Sequence, residues 1–326
     1  MALGELVDGF GRRLNYVRIS VTDRCNFRCT YCMPEEGVKC LSHRDILRYE
    51  DIAFLCGAFA ELGVGKFRFT GGEPLVRKGL VPFLQSLRAE MPHIKTALTT
   101  NASLLEEYAE GLARAGLHSL NISLDTLDPE KFRKITRIGD IERVYAGIKA
   151  AKRVGLTNIK LNTVLIRGFN DGEVERLLEF AEEHGLLLRL IEFMPLEDDV
   201  WTKEAFISGQ EILSMLPGGR WIKEERGGTN SDGPAQYFVN EATGRRIGVT
   251  DAVSNHFCKS CNRLRVSAEG GLRTCLFSEN ETPLKDIIER RDADALRETL
   301  LSAARAKPRC WSDVKTGTLH MSGIGG

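Results

Sequence analysis

Six strand-like runs, at 16–20, 66–69, 94–99, 119–124, 158–165 and 187–193, alternate with helical patterns at 50–62, 80–90, 104–115, 141–154 and 171–184. This rhythm is the strongest constraint on the fold. Repeated βα units build a parallel sheet, since each crossover returns the chain to the same end. Four helical patterns stop at a glycine, Gly63, Gly116, Gly155 and Gly185, the residue that best takes a left-handed C-terminal cap. Six units fall short of the eight that close a barrel. The sequence therefore predicts an α/β fold, a partial (β/α)6 TIM-type barrel. After Met194-Pro195 the rhythm gives way to a charged, glycine-rich stretch. We place a boundary near 220, with the barrel over 1–220 and a C-terminal extension over 221–326.

Strand side chains alternate between faces. Val17, Ile19 and Val21 share a face and leave Arg18 and Ser20 on the other. Phe67 and Phe69 oppose Lys66, Arg68 and Thr70. Leu120, Ile122 and Leu124 oppose Asn121, Ser123 and Asp125. Ile159 and Leu161 oppose Lys160 and Asn162. With the apolar faces against outer helices, Arg18, Arg68, Thr99, Ser123 and Lys160 point into one lumen. The alternative is that these residues sit on edge strands and face solvent. The sixth run does not sort, because Arg189 and Glu192 have opposite parity.

Two cysteine sets stand out: Cys25-x3-Cys29-x2-Cys32 just after the first strand, and Cys258-x2-Cys261-x13-Cys275. Thiolates so spaced can converge on one metal centre. Three is the informative count, because three cysteines on a four-iron cluster leave one iron open. For the second set alone zinc stays possible, with His256 as a fourth ligand. Two three-cysteine sets in one chain point instead to two iron–sulfur clusters. Cys40, Cys56 and Cys310 are left as buried or incidental thiols. Nine cysteines without a signal-like apolar start indicate a reducing, cytoplasmic setting and metal ligation over disulfides. With 45 basic and 45 acidic residues, neither a nucleic-acid nor a membrane surface is expected.

Thr70-Gly71-Gly72-Glu73-Pro74 follows the second strand. Its double glycine allows close backbone approach to a ligand, and its carboxylate can accept from an ammonium group. An ordinary βα turn explains the same residues. Arg263 and Arg265 follow the second cysteine pair. Together with Arg18, Arg68 and Lys160 they make five cations that, gathered in a lumen, need a polyanion. A triphosphate fits, since guanidinium forks match phosphate oxygens.

The first cysteine set, with Tyr31 before its last cysteine, resembles the signature of the radical S-adenosylmethionine (SAM) enzymes. Several further segments resemble the GTP 3′,8-cyclase family within that superfamily. They are Thr22-Asp-Arg-Cys-Asn-Phe-Arg-Cys, Thr70-Gly-Gly-Glu-Pro-Leu, Leu98-Thr-Thr-Asn, Glu192-Phe-Met-Pro, the second cysteine set and the terminal Ile324-Gly325-Gly326. The match runs from about Gly11 to Gly326. Thr274 and the stretch 196–232 lie where the family varies.

The resemblance implies two 4Fe–4S clusters, on Cys25, Cys29 and Cys32 and on Cys258, Cys261 and Cys275. SAM would meet Tyr31, Gly72, Ser123 and Met194. GTP would meet Arg18, Arg68, Thr99, Lys160 and Arg263-Leu264-Arg265, with Leu264 giving only backbone or packing and Arg189 a further phosphate candidate. Arg265, Gly325 and Gly326 are implied in catalysis, the tail as an insert into the active site. On sequence alone a frayed terminus explains the tail. The implied activity is that of a lyase, the radical cyclisation of GTP that begins molybdenum cofactor biosynthesis. It implies a reductant such as flavodoxin or ferredoxin, cyclic pyranopterin monophosphate synthase as the consumer of the product, and a monomer or homodimer. Two other functions compete: a peptide-modifying radical SAM enzyme with an auxiliary cluster, and a non-catalytic zinc-binding module.

Overall fold

The computed structural model describes residues 4–196, 200–225 and 233–314. The alternation of strand and helix is realised as parallel strands β1 (Tyr16–Ser20), β2 (Lys66–Thr70), β3 (Lys95–Thr100), β4 (Ser119–Ser123), β5 (Ile159–Leu165) and β6 (Leu187–Glu192). Between them run α1 (Tyr49–Glu61), α2 (Leu80–Glu90), α3 (Leu105–Arg114), α4 (Pro129–Thr136), α5 (Ile141–Arg153) and α6 (Val174–Glu183). The four cap glycines all have positive φ, from 60° to 86°, as left-handed caps require.

The sequence reading missed α4. Asp128 caps it by accepting from the amides of Glu130 and Lys131, and Pro129 presets its first turn. Its short length hid it beside the stronger α5 pattern.

The C-terminal third adds α7 (Gly209–Ser214), then β7 (Trp221–Lys223), β8 (Gln236–Asn240), β9 (Arg246–Thr250), β10 (Arg263–Val266), β11 (Gly271–Arg273) and β12 (Thr282–Pro283). Helices α8 (Lys285–Glu289) and α9 (Ala293–Arg305) follow. The twelve strands among the described residues form one sheet in the order β12-β11-β10-β1-β2-β3-β4-β5-β6-β9-β8-β7. β10 pairs parallel with β1, and β9 pairs parallel with β6. The partial barrel is thus continued at both edges by strands from late in the chain. None of β1 to β6 is a sheet edge, which removes the edge-strand alternative for Arg18, Arg68 and Lys160.

The outward faces build the core. Val17, Ile19, Phe67, Phe69, Leu98, Leu120, Ile122, Leu161, Leu188, Leu190, Leu264 and Val266 are fully buried against the helices. Each such side chain contributes about 1.5–3 kcal/mol by leaving water. The inward face is left polar. Among the described residues no helix is long and apolar enough to cross a membrane.

Candidate active site

The polar faces enclose a cavity of about 310 Å³ that runs the length of the lumen. Cys25, Cys29, Cys32, Tyr31, Gly72, Ser123 and Met194 line it at the C-terminal end of the strands. Arg18, Arg68, Thr99, Lys160, Arg263 and Arg265 line its interior, and Cys258, Cys261 and Cys275 line its side. Leu264 is not there; it lies on the opposite face of β10 in the core. Gly325 and Gly326 lie outside the described residues.

The first cysteine loop is held from α4. The amides of Arg28 and Thr30 donate to the carbonyls of Thr136 and Ile135, at 3.0 and 2.9 Å. Arg137 donates to the carbonyls of Arg28 and Met33, at 3.0 and 2.9 Å. The helix missed in the sequence is therefore the one that shapes this loop. Burial pushes the Cys25 thiol up to about 11 and the Cys29 thiol well above its ordinary value. Such thiols resist ionising alone and suit a cationic, sulfur-seeking centre.

The Gly-Gly turn packs against the chain's own backbone while also lining the cavity. A Cβ on Gly71 would stand 2.2 Å from the Thr22 carbonyl oxygen, and one on Gly72 2.4 Å from that of Arg24. The amides of Gly72 and Glu73 donate to those two carbonyls, at 2.9 and 2.8 Å. Glu73 does not await an ammonium. It accepts from Thr100 Oγ1 at 2.7 Å, Leu75 N at 3.0 Å and Asn101 N at 2.7 Å, tying the end of β2 to that of β3. Burial raises this carboxyl to about 7. Nearby, Tyr31 donates to Asp125 Oδ2 at 2.6 Å, while Val164 N donates to the other oxygen at 2.8 Å.

Register explains the cation cluster. Arg265, Arg18 and Arg68 are neighbours across β10, β1 and β2. Thr99, Asn121 and Lys160 are neighbours across β3, β4 and β5. Arg68 donates to Tyr16 Oη at 2.7 Å, Leu98 O at 2.6 Å, Thr99 Oγ1 at 3.3 Å and Ser119 Oγ at 3.1 Å. Burial pulls Arg18 down to about 10 and Arg265 well below its ordinary value, and neighbouring cations add to both. The buried carbonyl oxygens of Asn121 and Asn162 have no hydrogen-bond donor, nor has Arg189 Nε an acceptor. Such groups are costly unless a ligand completes them.

Arg189 faces the lumen and donates to Tyr237 Oη at 2.7 Å. Glu192 faces away and accepts from Gly209 N at 2.6 Å, Val253 N at 2.7 Å and Ser254 N at 3.0 Å. Their opposite parity therefore reflects two tasks on one strand.

At the second triad, burial opposes ionisation of Cys261, but Lys307 and Arg263 outweigh it and bring this thiol to about 6. Lys307 Nζ donates to the Arg263 carbonyl at 3.1 Å. His256 is not turned to the cysteines; its Nδ1 accepts from the Trp311 indole at 2.7 Å. Cys310, set aside in the sequence reading, has its thiol against that of Cys258. Lys307 and Trp311 gave no spacing signal, because they reach the site from the far end of the chain. Among the described residues no three His, Cys, Asp or Glu side chains close around a point for one metal ion. The donor sets are soft sulfur, which fits iron–sulfur clusters.

A partial barrel with a three-cysteine loop at the C-terminal mouth of its strands is the architecture of a radical SAM protein. Residues 19–181 match the family model described as Radical SAM superfamily, and residues 186–312 match the one described as Molybdenum Cofactor Synthesis C. The chain is 45% identical over 306 residues to a GTP 3′,8-cyclase of Peptoclostridium acidaminophilum, covering 93% of this chain and 92% of that protein. It is 42% identical over 324 residues to one of Thermodesulfovibrio yellowstonii, covering 98% and 99%. The chain belongs to the GTP 3′,8-cyclase family. Streptococcus suis SuiB bound to precursor peptide SuiA shares the fold, with a TM-score of 0.52 and 20% identity over 62% of this chain and 44% of that one.

Proposed function

We propose that this chain performs the radical cyclisation of GTP to (8S)-3′,8-cyclo-7,8-dihydroguanosine 5′-triphosphate, the first step of molybdenum cofactor biosynthesis. The observation that carries the reading is one cavity lined by two cysteine triads and by a cluster of cations, of which Arg68 and Arg265 are buried. We assign one 4Fe–4S cluster to Cys25, Cys29 and Cys32 and another to Cys258, Cys261 and Cys275. With SAM bound, the first centre supplies one-electron radical chemistry at the barrel mouth. The division at 220 belongs to the same reading: 1–220 presents SAM, and 221–326 holds the second cluster and the base of GTP.

The chain's own residues then orient and exclude. Tyr31, Gly72, Ser123 and Met194 hold SAM beside the first triad. Arg18, Arg68, Lys160, Arg263 and Arg265 hold the triphosphate, whose oxygens meet their charges. Arg189 adds a further phosphate contact. Asn121 and Asn162 present bare carbonyl oxygens to the ligands. The ribose is thereby placed with C3′ toward the SAM end, in a lumen shielded from water. Arg265, Gly325 and Gly326 are the catalytic candidates of this reading, the two glycines lying outside the described residues. A low-potential electron donor of the flavodoxin or ferredoxin class and cyclic pyranopterin monophosphate synthase complete the scheme.

The test is anaerobic. The purified protein should contain about eight irons for its two four-iron clusters and form 5′-deoxyadenosine from SAM and dithionite only when GTP is present. A colourless zinc protein, or deoxyadenosine formation independent of GTP, would overturn the assignment.

A further inference from the structure

Tyr16 has no place in the reading above, yet it stands inside the cation cluster. It shares the parity of Arg18 on β1 and is buried. Its neighbours in register are Lys66 on β2 and Arg263 on β10. Its hydroxyl oxygen accepts from Arg68 Nε at 2.7 Å. The Lys66 ammonium lies 5.1 Å from the centre of its ring. Arg265 and Arg189, from β10 and β6, also feel its charge. The charged groups facing the phenol are therefore Arg18, Lys66, Arg68, Arg189, Arg263 and Arg265. Among the described residues, Asp125 and Glu192 are the acidic residues along the cavity; Asp125 is paired with Tyr31 at the rim, and the Glu192 carboxylate is turned from the lumen to backbone amides.

We infer that Tyr16 is the proton-exchanging partner of the nucleotide site, ionised beside the lumen cations before the triphosphate enters and protonated once it is bound. This rests on the placement of GTP in the lumen proposed above. A buried phenol ordinarily stays neutral, since desolvation penalises its charge. Here burial does push the pKa up, but Arg68, Arg18 and Lys66 outweigh it and bring it from 10.0 to about 7. A triphosphate brings several negative charges to the same cations. The phenolate then becomes a like charge in a low-dielectric lumen and takes a proton from solvent. The balance is simple: one proton enters with the nucleotide and leaves with the product.

The sign follows from linkage. Below about pH 7 the free protein already carries the phenol, and binding takes up nothing through it. Above that pH the free protein is ionised and the complex is not, so each nucleotide takes up a proton. Apparent GTP affinity therefore falls with rising pH, by up to about tenfold per pH unit.

The experiment is anaerobic calorimetry of GTP binding to the cluster-loaded protein near pH 8.5, in two buffers of different ionisation enthalpy. At that pH the free γ-phosphate is fully ionised and contributes no proton. We expect uptake approaching one proton per GTP in the wild type and close to none in Tyr16→Phe, which keeps the ring. Affinity should decline from pH 7 to 9 in the wild type and stay flat in the variant. Equal uptake in both proteins, or zero uptake or net release in the wild type alone, would overturn the inference. Absence of GTP binding to the wild type at every pH would instead overturn the nucleotide site itself.

Discussion

Arg12 donates to the carbonyl of Cys258 at 2.7 Å, joining the N-terminal segment to the second cysteine triad. The same guanidinium donates to the Arg309 carbonyl at 3.1 Å and is paired with the fully buried carboxylate of Asp8. One side chain therefore clamps the second triad between the two ends of the chain. Replacing it by glutamine leaves the buried Asp8 carboxylate with the Phe10 and Arg12 amides but no cationic partner, at a cost of about 3–5 kcal/mol. For Arg12→Gln we expect a lowered Tm and loss of roughly half the iron, from the second cluster of the pair. Full iron content with wild-type Tm would show that the clamp is dispensable.

Gly72 allows no side chain. Alanine there would press a Cβ against the Arg24 and Asp23 carbonyl oxygens, at 2.4 and 2.9 Å, and neither backbone atom can yield cheaply. We expect Gly72→Ala to cost about 1–3 kcal/mol and to displace the Cys25 loop. Its iron loss should fall on the first cluster, the opposite of Arg12→Gln. Electron paramagnetic resonance of the two reduced variants distinguishes them.

Arg265 is buried among Arg18 and Arg263, with its charge penalised by desolvation and by both neighbours. Its alanine variant should keep both clusters and lose GTP binding by about 2–5 kcal/mol, the usual cost of truncating one partner of a buried charge contact. Cyclisation should fall below detection. Full turnover by Arg265→Ala would remove this residue from the site.

Glu192 gathers three backbone amides from the α7 start and the loop after β9. Glutamine puts an NH2 group against N–H donors and should cost about 1–3 kcal/mol. A denaturant melt reads that loss. An unchanged melting midpoint in Glu192→Gln would show that the loop does not depend on the carboxylate.

The faces of β1, β2, β4 and β5 were legible because each side of those strands has one character. Val17 and Ile19 meet helices while Arg18 meets the lumen, so the pattern survives in sequence. β6 resisted because Glu192 turns to backbone amides that no local pattern announces. β9 and β10 were illegible as barrel strands. Their partners, β6 and β1, lie far away in the chain, and long-range pairing leaves no local periodicity. Tyr16 could have been found, since it shares Arg18's parity. An aromatic residue beside a strand reads as core until its register with Lys66 and Arg263 is known. Lys307 and Trp311 gave no signal, because their relation to the second triad exists only in three dimensions.

The central claim is that C3′ of GTP faces the radical generated at the Cys25, Cys29 and Cys32 end of the lumen. Anaerobic turnover with GTP deuterated at C3′, followed by mass spectrometry of the 5′-deoxyadenosine, tests it most directly. The account predicts that the deoxyadenosine gains a single deuterium from the nucleotide. Deoxyadenosine formed without the label, at the same yield, would contradict it.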